Sequence, residues 1–221
     1  MKYALINGEK SQDFKGGVGK CPSCNSDLIA KCGEVKINHW AHKGTRNCDH
    51  WWENETQWHR AWKGYYPTNW QEVVHFDEYD EKHIADVKTD EGLVIEFQHS
   101  YLKPEERQSR IKFYSNIVWV VDGTRRINDL SGFNKVVETS RTLPLKDLSV
   151  LHVHFPDESR ILKEWVGCGA PVFLDFNQPE RLWLIIQVSN LNAAYIIPIG
   201  RNDFIERTKT DSLGQVMDNL N

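Results

Sequence analysis

Ile84-Ala-Asp-Val-Lys-Thr-Asp-Glu-Gly-Leu-Val-Ile-Glu-Phe-Gln98 decides how the rest of the chain is read. Ile84–Val87 and Leu93–Phe97 are short apolar runs with the period of strands, and Thr89–Gly92 between them has turn composition. Val73–Phe76 just upstream reads as a further strand. A hairpin of this kind is expected to bring Asp86 near Glu96. Strand alternation sends Glu96 and Gln98 to one face and Phe97 to the other. Two carboxylates, with the Phe97 carbonyl, form a donor set for a hard divalent cation, magnesium or manganese.

The flanking segments extend this pattern. In Trp51–Lys63, Glu55, His59 and Lys63 recur at intervals of four, one stripe of a helix that Asn54 is expected to cap, with Trp51, Trp58 and Trp62 on a neighbouring face. Glu55 is thereby a candidate third carboxylate for the same ion. His59 is a candidate general base or a support for Glu55, and Lys63 a candidate phosphate contact. The competing account is a solvated row of salt bridges. Downstream, Lys103-Pro104 opens a helix to Tyr114, with proline in its first turn and acids after it. Lys103, Arg107, Arg110 and Tyr114 are its candidate nucleic-acid contacts, unless the arginines pair with Glu105 and Glu106. Asn116–Asp122 is apolar enough for a strand covered on both sides.

Cysteines cluster near the start: Cys21, Cys24, Cys32 and Cys48, with Cys168 far away. Cys21-Pro-Ser-Cys24 has knuckle spacing, and His39-Trp-Ala-His42 repeats it with imidazoles. Zinc takes four such ligands in a tetrahedron. Cys21 and Cys24 supply two; the others come from His39, His42, Cys48, Cys32 or His50, with His42 and Cys48 ranked first and His39 as the alternative. Cys32 and Cys168 read as packed residues.

The 221 residues carry a formal net charge of -4, so no global basic field announces a nucleic-acid partner, and any such contact must come from local clusters. No apolar run approaches the roughly 18 residues of a membrane span, and the first residues lack a signal peptide's apolar stretch, so a cytoplasmic protein without membrane contact is expected. Farther on, Val150–Phe155, Pro171–Phe176, Leu182–Val188 and Ala193–Ile199 read as strands, Glu158–Val166 as a helix and Asp203–Met217 as a terminal helix. This region is expected to widen the sheet, shape the cleft or order a protein partner. His152 and His154 share a strand face but have no third ligand nearby.

Taken in order, Cys21-x-x-Cys24, His39-Trp-Ala-His42, Glu55-x-x-x-His59-x-x-x-Lys63, Ala85-Asp86, Ile95-Glu96-Phe97-Gln98-x-Ser100 and Trp119-Val-Val resemble the competence protein CoiA-like family, over roughly residues 15 to 125. That family looks like a branch of the PD-(D/E)XK nuclease superfamily. The resemblance implies an α/β fold with a restriction-endonuclease-like central mixed sheet flanked by helices. It is divided into a zinc-binding N-terminal module (1–50), a nuclease core (51–140) and a C-terminal αβ extension (141–221). It also implies a magnesium-dependent deoxyribonuclease acting in competence, recombination or phage defence, with Glu55, His59, Asp86, Glu96 and Gln98 catalytic. Gln98 stands where the superfamily pattern has lysine, so a weak or inactive nuclease fold serving as a zinc-containing binding or recruiting module is the alternative.

Overall fold

The computed structural model describes residues 1–44, 48–51, 54–145, 148–186 and 193–214. They fall into two compact units, Met1–Lys88 and Thr89–Asn221. The division falls within residues 84–98, with 84–88 in the first unit and the turn and 93–98 in the second.

The first unit begins with strands β1 (Tyr3–Ile6), β2 (Glu9–Gln12), β3 (Val18–Lys20), β4 (Asp27–Lys31) and β5 (His39–His42). They form an antiparallel sheet in the order β2-β1-β3-β4-β5. Asn7 and Gly8, both at positive φ, make the two-residue turn that the twist of a hairpin favours. The sheet's core is small: Met1, Ala4, Cys21, Leu28 and Trp40, with Cys24 and Cys48 packed against it.

Helix α1 (Gln57–Lys63) follows, and then the antiparallel pair β6 (Gln71–Phe76) and β7 (Lys82–Lys88), in register from Gln71↔Val87 to Phe76↔Lys82. Thr56, not Asn54, caps α1. Its hydroxyl accepts from the His59 N–H at 3.3 Å, and the His59 ring accepts from the Thr56 N–H at 3.2 Å, a reciprocal capping box. Trp52 and Glu53, part of the expected longer helix, lie outside the described residues.

The second unit carries seven strands in one run, β10-β11-β14-β13-β12-β9-β8. These are β8 (Val94–Gln98), β9 (Ile117–Asp122), β10 (Arg141–Leu145), β11 (Leu148–Val153), β12 (Val172–Asp175), β13 (Arg181–Ile186) and β14 (Ala194–Gly200). β8, β9 and β12 are parallel neighbours and the remaining pairs antiparallel, so the sheet is mixed. Helix α2 (Pro104–Tyr114) is the crossover that a parallel β8/β9 pair requires. Three more helices, α3 (Asp129–Glu138), α4 (Arg160–Trp165) and α5 (Arg201–Lys209), complete the unit.

All of β8 and β9 is buried, as their apolar runs require, and Trp119, Phe133, Trp165, Phe173 and Phe204 fill the interior. Because β12 pairs with β9, the last third extends the same sheet. The terminal helix starts at Arg201 and ends at Lys209; Val216 and Met217, and Gln187 and Val188 of the expected strand, lie outside the described residues. At the ends of β9 and β12 the Gly123 N–H donates to Asp175 O at 2.8 Å, and a Cβ on residue 123 would overlap the Phe176 ring. Among the described residues no helix is long and apolar enough to cross a membrane.

Candidate functional site

Cys21 follows β3 and Cys24 closes the knuckle, whose turn is tied by Asn25 N–H to Cys21 O at 2.9 Å and by Cys21 N–H to Ser26 O at 2.9 Å. His42 ends β5, and Cys48 comes after it. Their ligand atoms all lie within 4.8 Å of one another. Cys21 Sγ is 3.9 Å from Cys48 Sγ, and His42 Nε2 is 3.3 Å from Cys24 Sγ and 3.5 Å from Cys48 Sγ. A tetrahedron with Zn–S bonds of about 2.3 Å has S···S edges of about 3.8 Å, so three thiolates and one imidazole at these separations are compatible with zinc.

His39 is not part of the cluster. It stands three residues from His42 on a strand, an odd step that turns it to the opposite face, and its Nδ1 lies 2.9 Å from Ile37 O. Burial raises the Cys21 thiol. Burial pushes Cys24 the same way, but hydrogen bonds from the Ser26 side chain and backbone and from His42 outweigh it and bring that thiol down to about 6. Cys168 is a packed residue, fully buried with its thiol donating to Ala170 O at 3.2 Å.

A second cluster of the first unit centres on Lys63. Its side chain is 3% exposed, and its Nζ lies 2.6 Å from Glu55 Oε1, 2.9 Å from Glu72 Oε1 and 3.6 Å from Asp86 Oδ1. Burial alone disfavours the ammonium, but Glu72, Asp86 and Glu55 outweigh it and hold the Lys63 pKa above its ordinary value. Glu55 precedes α1 instead of lying on it, and its other oxygen is 3.1 Å from Arg60 Nε. Both Glu55 oxygens are thus paired to cations of the first unit, Lys63 and Arg60. His59 is buried and occupied in the capping box, which fits a support of α1 better than a general base. Asp86 is the partly exposed member of the cluster, its side chain 24% exposed.

Glu72 escaped the sequence reading altogether. Its backbone is left-handed (φ 48) within a strand, and its buried carboxylate accepts from the Lys2 N–H at 2.8 Å and the Tyr3 N–H at 3.1 Å as well as from Lys63. Burial raises its pKa, but Lys63 and the Lys2 N–H outweigh this and take it from 4.5 to about 2. A carboxyl depressed on folding adds stability that is present above its unfolded value and disappears as the pH falls through its folded one. Wild type is therefore expected to lose about 3 kcal/mol between about pH 5 and pH 2 through this group. Urea unfolding against pH should show that slope, and Glu72→Gln should flatten it.

In the second unit Glu96 is buried, with Arg110 3.1 Å from its Oε2; Arg110 also reaches Glu106 at 2.6 Å. Arg107 donates to Glu164 O and lies over the Trp165 ring, and Tyr114 is buried. The expected nucleic-acid face of α2 thus turns inward at Arg107, Arg110 and Tyr114 and leaves Lys103 exposed; Lys63, buried among carboxylates, is no surface contact either. Gln98 is buried, and its amide donates to Ser100 O at 3.1 Å and Ser100 Oγ at 3.3 Å.

Beside it is a pair the sequence reading also missed. His99 Nδ1 lies 2.7 Å from Asp122 Oδ2, and Asp122 Oδ1 accepts from the Thr124 N–H and hydroxyl at 2.8 and 2.7 Å. An acid ending a fully apolar strand was the available signal for Asp122.

No curated protein and no solved structure matches the chain. The CoiA-like resemblance carried by the motif order holds for the segment that contains all four residues of the cysteine and histidine cluster: residues 10–50 match the family model of the competence protein CoiA N-terminal domain.

Proposed function

We propose that the chain is a magnesium- or manganese-dependent nuclease of the PD-(D/E)XK kind, with a zinc-bound N-terminal module, that hydrolyses DNA phosphodiester bonds in competence-related DNA processing. The observation that carries this is the partly exposed Asp86 carboxylate with the buried Lys63 ammonium 3.6 Å away. Gln98 lacks the charge that the superfamily pattern places at its position, and within the first unit Lys63 places a positive charge beside Asp86. Asp86 is the assigned ligand of a divalent ion, which when bound would provide a water of lowered pKa and neutralise charge building on the phosphate.

The side chains divide the remaining work. Glu55 and Glu72 keep Lys63 charged and fixed, and Lys63 adds preorganised positive charge beside Asp86. Water adds its hydroxyl to phosphorus in line, the P–O bond to the departing sugar breaks, and the proton ends on that sugar oxygen. A recruiting or binding role without turnover has its own support: Glu96 is ion-paired with Arg110, and the Gln98 amide is directed at Ser100.

Purified protein with labelled single- and double-stranded DNA and manganese or magnesium tests the proposal. Cleavage by wild type is expected to fall about 100-fold or more in Asp86→Asn and in Glu96→Gln. Equal, negligible cleavage by wild type and both variants, with DNA still bound, would leave only the recruiting role.

A further inference from the structure

Two connections run from the metal-ligand segments to strand β7 within the first unit. Asp49, next to Cys48, has a side chain 5% exposed; its Oδ1 accepts from the Trp51 N–H at 2.9 Å and lies 3.0 Å from His83 Nδ1, and its Oδ2 accepts from the Ile84 N–H at 3.0 Å. A side-chain carboxylate here takes a strand amide that a neighbouring carbonyl would otherwise accept. Lys82 Nζ donates to the carbonyl of Ser23, inside the Cys21-Pro-Ser-Cys24 knuckle, at 2.6 Å.

The His83 ring is itself fixed. It is 2% exposed, stacks on Trp51 with centroids 3.3 Å apart and planes 13° apart, and has Nε2 3.0 Å from Glu81 Oε1. Three consecutive residues of β7, Lys82, His83 and Ile84, are therefore tied to the loops that present Cys24 and Cys48. Asp86 lies two residues beyond Ile84, on the same face.

We propose that Asp49, assisted by the Lys82 bond to Ser23, clasps the zinc loops to β7, so that metal held by Cys21, Cys24, His42 and Cys48 sets the position of the strand that bears Asp86. The inference rests on the zinc and Asp86 assignments above and gives Asp49 the part of a positioning residue. A coupling of this kind is reciprocal: whatever loosens the clasp must weaken metal binding by the same factor by which metal loss loosens β7.

Hydrogen exchange on the full chain, with zinc bound and after chelation, reads the coupling directly. Zinc content is measured on the same samples, and cobalt(II) absorption gives the ligand set and affinity. Removing the metal is expected to speed exchange of the amides of 82–87 about tenfold or more, with less than about twofold change in β12, β13 and β14. In Asp49→Ala combined with Lys82→Met, cobalt should show an unchanged thiolate spectrum and about tenfold weaker binding, while β7 exchanges fast whether or not metal is bound.

A chain that takes up no zinc overturns the metal assignment, and the clasp with it. A chain that binds zinc but protects β7 equally with and without it overturns the clasp alone. The clasp is equally overturned if the double variant keeps the full difference between the two states. Should the double variant fail to fold, the wild-type comparison decides.

Discussion

Lys63→Met is expected to destabilise the first unit by about 3–5 kcal/mol, because it removes the cation that two buried carboxylates share. Glu55 and Glu72 side chains are 7% and 5% exposed, and each faces the Lys63 ammonium within 3 Å or less. Methionine fills much of the volume, so the loss reports charge more than cavity.

The sign with pH separates the two. Lys63 is raised above its ordinary value on folding, so its contribution is complete below that value and is lost only as the pH climbs through the higher folded one. In the variant the acids can be accommodated only by taking up protons. The deficit in urea unfolding should therefore be large at about pH 8 and shrink toward about pH 5. A loss under about 1 kcal/mol, or one independent of pH, would show that the cluster is not held by this cation. On the nuclease proposal the variant should also lose cleavage, since Lys63 is the charge beside Asp86.

Chelating the metal, or replacing Cys48 by serine, is expected to unfold the five-stranded N-terminal sheet. Its core of Met1, Ala4, Cys21, Leu28 and Trp40 is too small to offset the conformational entropy of some fifty residues, whereas zinc binding contributes about 10–16 kcal/mol in zinc-finger peptides. About one zinc per chain should be found by elemental analysis, and chelation should change the fluorescence of the buried Trp40. Cys32→Ser and His39→Ala should keep the metal, since neither residue belongs to the four-ligand cluster. Zinc lost from His39→Ala but retained by His42→Ala would reverse the ligand assignment.

Legibility followed the range of the interactions. Short-range signals were readable: the Cys21 and Cys24 knuckle, the proline that opens α2, and the apolar run of β9. Spacing failed where the element type was misjudged. Glu55, His59 and Lys63 fit a helical stripe, yet α1 begins only after Thr56, and Glu55 reaches Lys63 from outside the helix.

Charge on α2 misled for another reason. Arg110 does pair with Glu106, as the competing account had it, but it turns inward because its other partner, Glu96, is fourteen positions away and meets it only when β8, α2 and β9 are folded together. Helix α3, with Gly132 in its middle, and β10, with Pro144 on an outer strand, carry no legible local signal. Both residues argue locally against the structure that packing and an edge position permit. Glu72 gave no signal because its left-handed backbone suits a turn better than a strand.

The close approach at Gly123 limits what the chain can become. Any side chain there would drive Phe176 away from the end of β9, and Asp122, which aligns His99, is the adjoining residue. Among single-residue changes, one that adds a methyl group at a position without chemistry of its own would force a buried ring to move beside the residue that pairs with His99. Glycine is the residue that fits at 123 without such a shift.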